Sequence, residues 1–188
     1  YSRNLMTVRI AKILGLQEIL NLSKKLDIYD EIPELLSVSL GAAETTLMNL
    51  TSAYAPFVNG GKKVEPTLIS RIQDRRGKTI FLKKSIKCIG CDKFINNDKI
   101  DLPIIENNNK NVISEETAYQ MNSILQGTVQ RGTAKKLRSL KVPLAGKTGT
   151  TNDNYDAWFI GFSSNLVIGV YIGYDNPKSL GKFETGSK

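Results

Sequence analysis

At 188 residues, with 40% hydrophobic and 23% charged positions, the chain is long enough for one domain with a real core, and disordered or collagen-like classes drop out. Its formal charge of +8 comes from scattered sources (Lys62-Lys63, Arg75-Arg76, Lys83-Lys84-Lys87, Lys135-Lys136-Arg138) with no interleaved aromatics; solvated faces are the first explanation, an anionic lipid or polymer substrate the second, and no nucleic-acid partner is expected. The chain has no histidine, which excludes a Ser-His-Asp triad, a Cys-His dyad and any His-ligated zinc site within it.

Taken in order, Tyr1-Ser2-Arg3-Asn4 is no signal peptide and carries no initiator Met, so the chain reads as a piece of something longer with any targeting segment upstream. Met6, Ile10, Ile13 and Leu14 have helical spacing over Leu5 to Leu14, and Gly15 closes the helix. Leu16, Ile19, Leu20 and Leu26 suggest a second short helix, with Pro33 in the loop after it. Leu47, Leu50 and Tyr54 mark a third, ended by Pro56 and Gly60-Gly61. The period then changes. Leu68 to Ile72 alternates, Asp74-Arg75-Arg76-Gly77 is turn chemistry, and Thr79 to Leu82 returns as a hairpin strand. From about Cys88 to Asn111 the sequence looks like a variable connection, and residues 62–112 are read as an insertion of strands and loop within a single domain, 1–188. Cys88-Ile89-Gly90-Cys91 cannot complete a four-ligand zinc site, so no metal is expected; a small disulfide or two free thiols remain.

Ser114 is a good N-cap with Glu115 and Glu116 in the first turn, and Met121 and Leu125 face inward. Gly127 and Gly132 are expected to break this helix before a basic helical piece from Ala134 to Leu140. The end of the chain reads as β: Leu144 to Thr151, Tyr155 to Phe162 and Leu166 to Tyr174, with a tight turn at Ser163-Ser164-Asn165. Helices first and an antiparallel meander over 144–174 argue for an α+β fold. No apolar run approaches the roughly 20 residues needed to span a bilayer.

Gly146-Lys147-Thr148 matches the end of a phosphate loop, but such a loop needs a glycine five residues before Gly146, where Lys141 stands, and a helix after it, where a β-like run follows. The other chemistry that uses Lys-Thr-Gly is carboxylate recognition beside an acyl-transfer site. On an exposed strand edge, the Lys147 ammonium and Thr148 hydroxyl can meet an anionic peptide terminus, each charge-assisted hydrogen bond contributing about 1.5–3 kcal/mol. Gly149 keeps the edge clear for an extended substrate to lie along the strand. K-T-G alone is weak, and an ordinary edge strand is the bland alternative.

Two further boxes bear on it. S-x-N occurs as Ser163-Ser164-Asn165, where turn formation explains it, and as Ser2-Arg3-Asn4, which precedes a helix and lies upstream of K-T-G. S-x-x-K occurs as Ser179-Leu180-Gly181-Lys182, after K-T-G and beside Pro177, without the helix that would aim serine and lysine together, and is set aside as a nucleophile.

Together with Leu40-Gly41-Ala42-Ala43-Glu44, Thr51-Ser52-Ala53-Tyr54-Ala55, Asn59-Gly60-Gly61, Gln130-Arg131-Gly132-Thr133, Asp156 to Phe162 and Gly173-Tyr174-Asp175, these segments resemble the C-terminal part of the transpeptidase domain of a class A (bifunctional) penicillin-binding protein. The resemblance runs along nearly the whole chain and is weakest between about Arg75 and Asn111. It implies a partial serine β-lactamase/penicillin-binding transpeptidase fold and peptidoglycan D,D-transpeptidation without a cofactor. An S-x-x-K serine attacks the D-Ala-D-Ala bond of a stem peptide, and the acyl group passes to an amine on a neighbouring stem; β-lactams acylate the same serine. On matching positions, Ser2 would relay a proton and Asn4 bond the substrate backbone. Lys147 and Thr148 would bind the terminal carboxylate, with Gly149 and Thr151 beside it, and the Thr150 N–H would be an oxyanion donor.

In the family S-x-x-K precedes S-x-N, so the acylated serine, its lysine, the first strands of the sheet, a glycosyltransferase domain and the membrane anchor are expected upstream, with the protein at the extracytoplasmic face of a bacterial inner membrane. This chain alone is expected to be inactive. The alternatives are a non-catalytic peptidoglycan- or partner-binding module from a truncated gene, and a β-lactamase or D,D-carboxypeptidase relative.

Overall fold

The structure, a computed structural model, describes residues 2–83, 86–89, 104–107 and 109–187. It divides into a larger unit, residues 1–64 with 111–188, and a smaller one, Glu65–Lys110.

In the larger unit, α1 (Asn4–Leu14) and α2 (Leu16–Lys25) are separated by Gly15, whose φ of 88° is a left-handed-side conformation that a side chain would disfavour. The helical spacing of Met6, Ile10, Ile13 and Leu14 finds α1 but not its packed face. Those four side chains are exposed, Ile13 at 83%, and Ala11 is the buried residue, on a helix that packs against the 3-10 segment Leu36–Leu40. The loop after α2 is tied by an ion pair between Lys63 and Asp27. Helix α3 (Leu47–Val58) starts on a Thr46 cap, whose hydroxyl accepts from the Asn49 N–H. Pro56 was expected to end it and instead lies inside its last turn. A proline removes one helical hydrogen bond, and complete burial of the Pro56 ring offsets that loss.

Among its described residues the smaller unit holds two antiparallel strand pairs. Strand β1 (Arg71–Gln73) pairs antiparallel with β2 (Thr79–Leu82) across the Asp74–Lys78 turn. The first strand starts later than the alternation from Leu68 suggests, and Leu68 is 90% exposed. Strand β3 (Ile86–Ile89) pairs with β4 (Ile104–Asn107) inside the region read as a variable connection. Cys91 lies outside the described residues, and with it the question of a Cys88–Cys91 pair.

Back in the larger unit, Ser114 caps α4 (Glu115–Gln130) by accepting from the Thr117 N–H at 3.2 Å. The helix runs through Gly127 rather than breaking there. Gly127 is buried, and a Cβ on it would press the Arg131 guanidinium, which lies over this turn of the helix. The basic piece that follows is a 3-10 segment, Lys135–Leu140.

Three strands then form an antiparallel meander: β5 (Ala145–Thr150), β6 (Ala157–Phe162) and β7 (Val167–Ile172), in the order β5-β6-β7. Each lies within a few residues of its expected bounds, and Ser163 N–H donates to the Leu166 carbonyl in the last turn. The core forms where Leu125, Ala145 and Phe162 meet, with Tyr54, Phe57 and Met121 packed around them. Tyr54 meets Phe57 edge-on at 5.6 Å between centroids. Helices on a sheet of this kind make the fold α+β, and this packing holds β5 at a sheet edge.

Candidate active site

The K-T-G segment occupies the middle of β5, where period-2 alternation decides what each side chain meets. Lys147 is opposite Ile160, Gly149 opposite Trp158, and Thr150 opposite Ala157. Lys147 is half-buried, and burial pulls its ammonium below the ordinary lysine value of 10.5. The charged head keeps two partners. Nζ donates to the Thr148 carbonyl at 2.7 Å and to Ser2 Oγ, also at 2.7 Å, across 145 positions of sequence. Ser2 has φ 48°, a left-handed conformation. Two residues on, Asn4 opens α1 with an exposed side chain, while the Arg3 carbonyl accepts from Met6 and Thr7 in the first turn. Of the predicted residues, Ser2 and Lys147 are therefore in direct contact, with Asn4 on the adjoining helical turn.

Thr148 points the other way. It is 8% exposed, and its hydroxyl is 2.8 Å from that of Thr133. Thr133 follows Gly132, where a Cβ would run into the Thr128 backbone, so the chain can fold back tightly on the end of α4 only without a side chain there. Sequence reasoning gave Thr133 no role; its only signal was its place in the Gln130-Arg131-Gly132-Thr133 segment.

Thr150 is exposed at the end of β5, and its hydroxyl accepts from the Gly186 N–H at 3.1 Å. Thr151 closes the turn that follows: its N–H donates to the Asp156 carbonyl at 3.1 Å and its hydroxyl accepts from the Asp156 N–H at 2.8 Å. Beyond the turn, Trp158 and Tyr171 pack with ring centroids 4.7 Å apart, and the Tyr171 hydroxyl donates to Asp156 Oδ1 at 3.1 Å. Ser179 is elsewhere in the hydrogen-bond network, donating to the Asp153 carbonyl at 2.7 Å. Ser163 of the second S-x-N box donates to Asn165 within its own turn, at 3.1 Å.

The arrangement is an open strand edge with a half-buried ammonium, an exposed hydroxyl and a serine held against the ammonium. It suits an anion presented by an extended chain. A cavity of about 220 Å³ lies elsewhere, lined by Gln130, Arg138 and Leu144 among others, and does not include Lys147. Among the described residues no group of three or more His, Cys, Asp and Glu could hold a metal ion, and no helix is long and apolar enough to cross a membrane.

The penicillin binding protein transpeptidase domain family matches residues 1–188. Penicillin-binding protein 1A of Rickettsia prowazekii is 45% identical over 189 residues, covering 99% of this chain and 24% of the relative. Penicillin-binding protein 1A of Pseudomonas aeruginosa is 32% identical, covering 98% of this chain and 26% of the relative. The crystal structure of penicillin-binding protein 1A from Haemophilus influenzae superposes with a TM-score of 0.82 at 31% identity, over 99% of this chain and 31% of that one. The chain spans about a quarter of the length of the curated relatives it matches.

Proposed function

Because the chain belongs to the penicillin-binding protein transpeptidase family, we propose that it supplies the K-T-G wall and the S-x-N residues of a peptidoglycan D,D-transpeptidase, working within a longer class A protein. The observation that carries this is the 2.7 Å contact between Lys147 Nζ and Ser2 Oγ, which joins the two boxes in one place.

In this reading an S-x-x-K serine in another segment of the longer protein attacks the carbonyl of the penultimate D-Ala of a stem peptide. The new serine ester forms as the D-Ala-D-Ala amide breaks, and the departing amine takes a proton. An amine on a neighbouring stem then attacks the ester and returns the serine. The residues of this chain bind and orient. Lys147 supplies positive charge for the terminal carboxylate, with the exposed Thr150 hydroxyl and Gly149 on the same strand, while Thr148, turned inward to Thr133, anchors that strand and Thr151 closes the turn after it. Ser2, in contact with the partly desolvated Lys147, relays the proton to the departing amine. Asn4 bonds the substrate backbone, and the Thr150 N–H is one oxyanion donor; losing such a donor typically costs about 10²–10³ in rate. A site without histidine is suited to lysine-based proton transfer, because burial lowers the cost of a neutral amine. The substrate lies outside the inner membrane, which puts this wall on the extracytoplasmic face, on a protein anchored through an upstream segment.

The test is acylation of the longer protein by a fluorescent penicillin. Lys147→Ala should slow it by about ten- to a hundredfold, the fold-change of one charge-assisted contact. An unchanged rate would remove Lys147 from carboxylate binding and with it the proposal. The 188-residue chain alone should show no covalent label.

A further inference from the structure

Ser179-Leu180-Gly181-Lys182 lies across the β5–β6 turn. The Ser179 hydroxyl donates to the Asp153 carbonyl at 2.7 Å, the Leu180 N–H donates to the Asn154 carbonyl at 2.9 Å, and Asn154 Nδ2 donates to the Gly181 carbonyl at 3.0 Å. The two turn residues so held, Asp153 and Asn154, have φ of 56° and 54°, a region that Asp and Asn enter more readily than other side chains but which still needs support. Further along, Gly186 donates its N–H to the Thr150 hydroxyl at 3.1 Å. Gly186 is seated against the carbonyl oxygens of Gly149 and Trp158, and a Cβ there would overlap both. Residues 179–186 thus grip β5 twice, once at its turn and once at the exposed threonine.

A threonine hydroxyl offers one hydrogen and two acceptor positions. With one acceptor position filled by the Gly186 N–H, the Thr150 hydrogen remains to be given, and accepting one bond polarises the hydroxyl for the other. We propose that residues 179–186 form a positioning strap for Thr150, with Gly186 fixing the hydroxyl so that it donates toward the carboxylate end of the acyl donor and Ser179 holding the turn that keeps the strap in register. The proposal rests on the transpeptidase reading above. Ser179 and Gly186 are positioning residues in it; neither touches the substrate.

The experiment compares acylation of the longer protein by a penicillin bearing its free carboxylate and by the corresponding methyl ester, as a ratio of second-order rate constants. A loss of general folding lowers both rates; a misplaced Thr150 lowers the ratio. Ser179→Ala, which adds no atoms, should lower the ratio by roughly three- to tenfold, and Gly186→Ala should lower it further. Thr150→Val should lower it comparably, Thr150→Ser should restore most of it, and Ser179→Ala combined with Thr150→Val should be no worse than Thr150→Val alone. A ratio unchanged in both strap variants, or strap and Thr150→Val effects that multiply, would overturn the strap. If Lys147→Ala slows acylation while the strap variants keep the ratio, only the strap falls; if Lys147→Ala has no effect, the transpeptidase reading falls and takes the strap with it.

Discussion

Replacing Thr133 by valine probes how the end of α4 supports the K-T-G strand. The Thr133 and Thr148 hydroxyls are 2.8 Å apart; Thr148 is 8% exposed and Thr133 half-buried. Valine has the shape of threonine without the hydroxyl, so Thr133→Val removes one partner and leaves the Thr148 hydroxyl away from water. A buried polar group left in that state costs about 1–3 kcal/mol. Thr148→Val leaves Thr133, which water can reach more easily, and should cost about 1 kcal/mol. The double variant removes both hydroxyls and leaves nothing unpaired, so its loss should fall short of the sum of the single losses by about 1 kcal/mol. The assay is urea unfolding of the four proteins, with stability taken from linear extrapolation at constant slope. Single losses that add within about 0.5 kcal/mol would refute the coupling, and the hydroxyl pair would then be no link between helix and strand.

Burial holds Lys147 below 10.5, and carboxylate binding needs its ammonium form. Acylation of the longer protein should therefore fall as pH rises through the lowered value, with a midpoint below 10.5, and Lys147→Arg should carry that limb to higher pH because a guanidinium stays charged; a limb that Lys147→Arg does not move would assign it to another group. The same shift means that the unfolded chain holds this proton longer, so Lys147 contributes a rise in stability with pH between its lowered value and 10.5. Burial pushes Tyr54 up to about 12 from 10.0. The folded protein thus keeps a proton that the unfolded chain gives up, and about 2–3 kcal/mol of stability should be lost as pH rises from 10 to 12; chemical denaturation of Tyr54→Phe over that range should lack this slope, and equal slopes would refute it. Gly61 has φ 87° and faces the Ile113 carbonyl so closely that a Cβ would overlap it. Gly61→Ala should destabilise by at least about 2 kcal/mol, combining left-handed strain with that overlap, and a midpoint within experimental error of wild type would show that the turn relaxes freely.

Features set by neighbours in sequence were legible, and features set by partners far along the chain were not. The β5–β7 meander could be read because alternation and a Ser-Ser-Asn turn are local, and Ser114 declared the start of α4 for the same reason. Pro56 and Gly127 misled because each weakens a helix without obliging it to end there. Complete burial of the Pro56 ring in tertiary packing overrides the local preference, while at Gly127 the helix simply continues, with the Arg131 side chain one turn on lying over it. The stripe on α1 gave the helix but the wrong face, because spacing reports period and not which side finds a neighbour. In the site, Lys147 and Ser2 were each named from their boxes, yet their contact spans 145 positions and no periodicity connects them. Thr133 and Gly186 were harder still. A threonine after Arg-Gly and a glycine near Glu-Thr have no chemistry of their own, and each gains a task only once the fold sets it against a threonine of β5. The consequence for the site is specific: alternation puts Thr148 and Thr150 on the same face of β5, but Thr148 in mid-strand is buried against Thr133 while Thr150 at the strand end is exposed against Gly186, so two threonines that look interchangeable in Lys-Thr-Gly-Thr have different partners. Removing the hydroxyl of Thr148 should therefore register first in stability, and removing that of Thr150 first in the choice between carboxylate and ester.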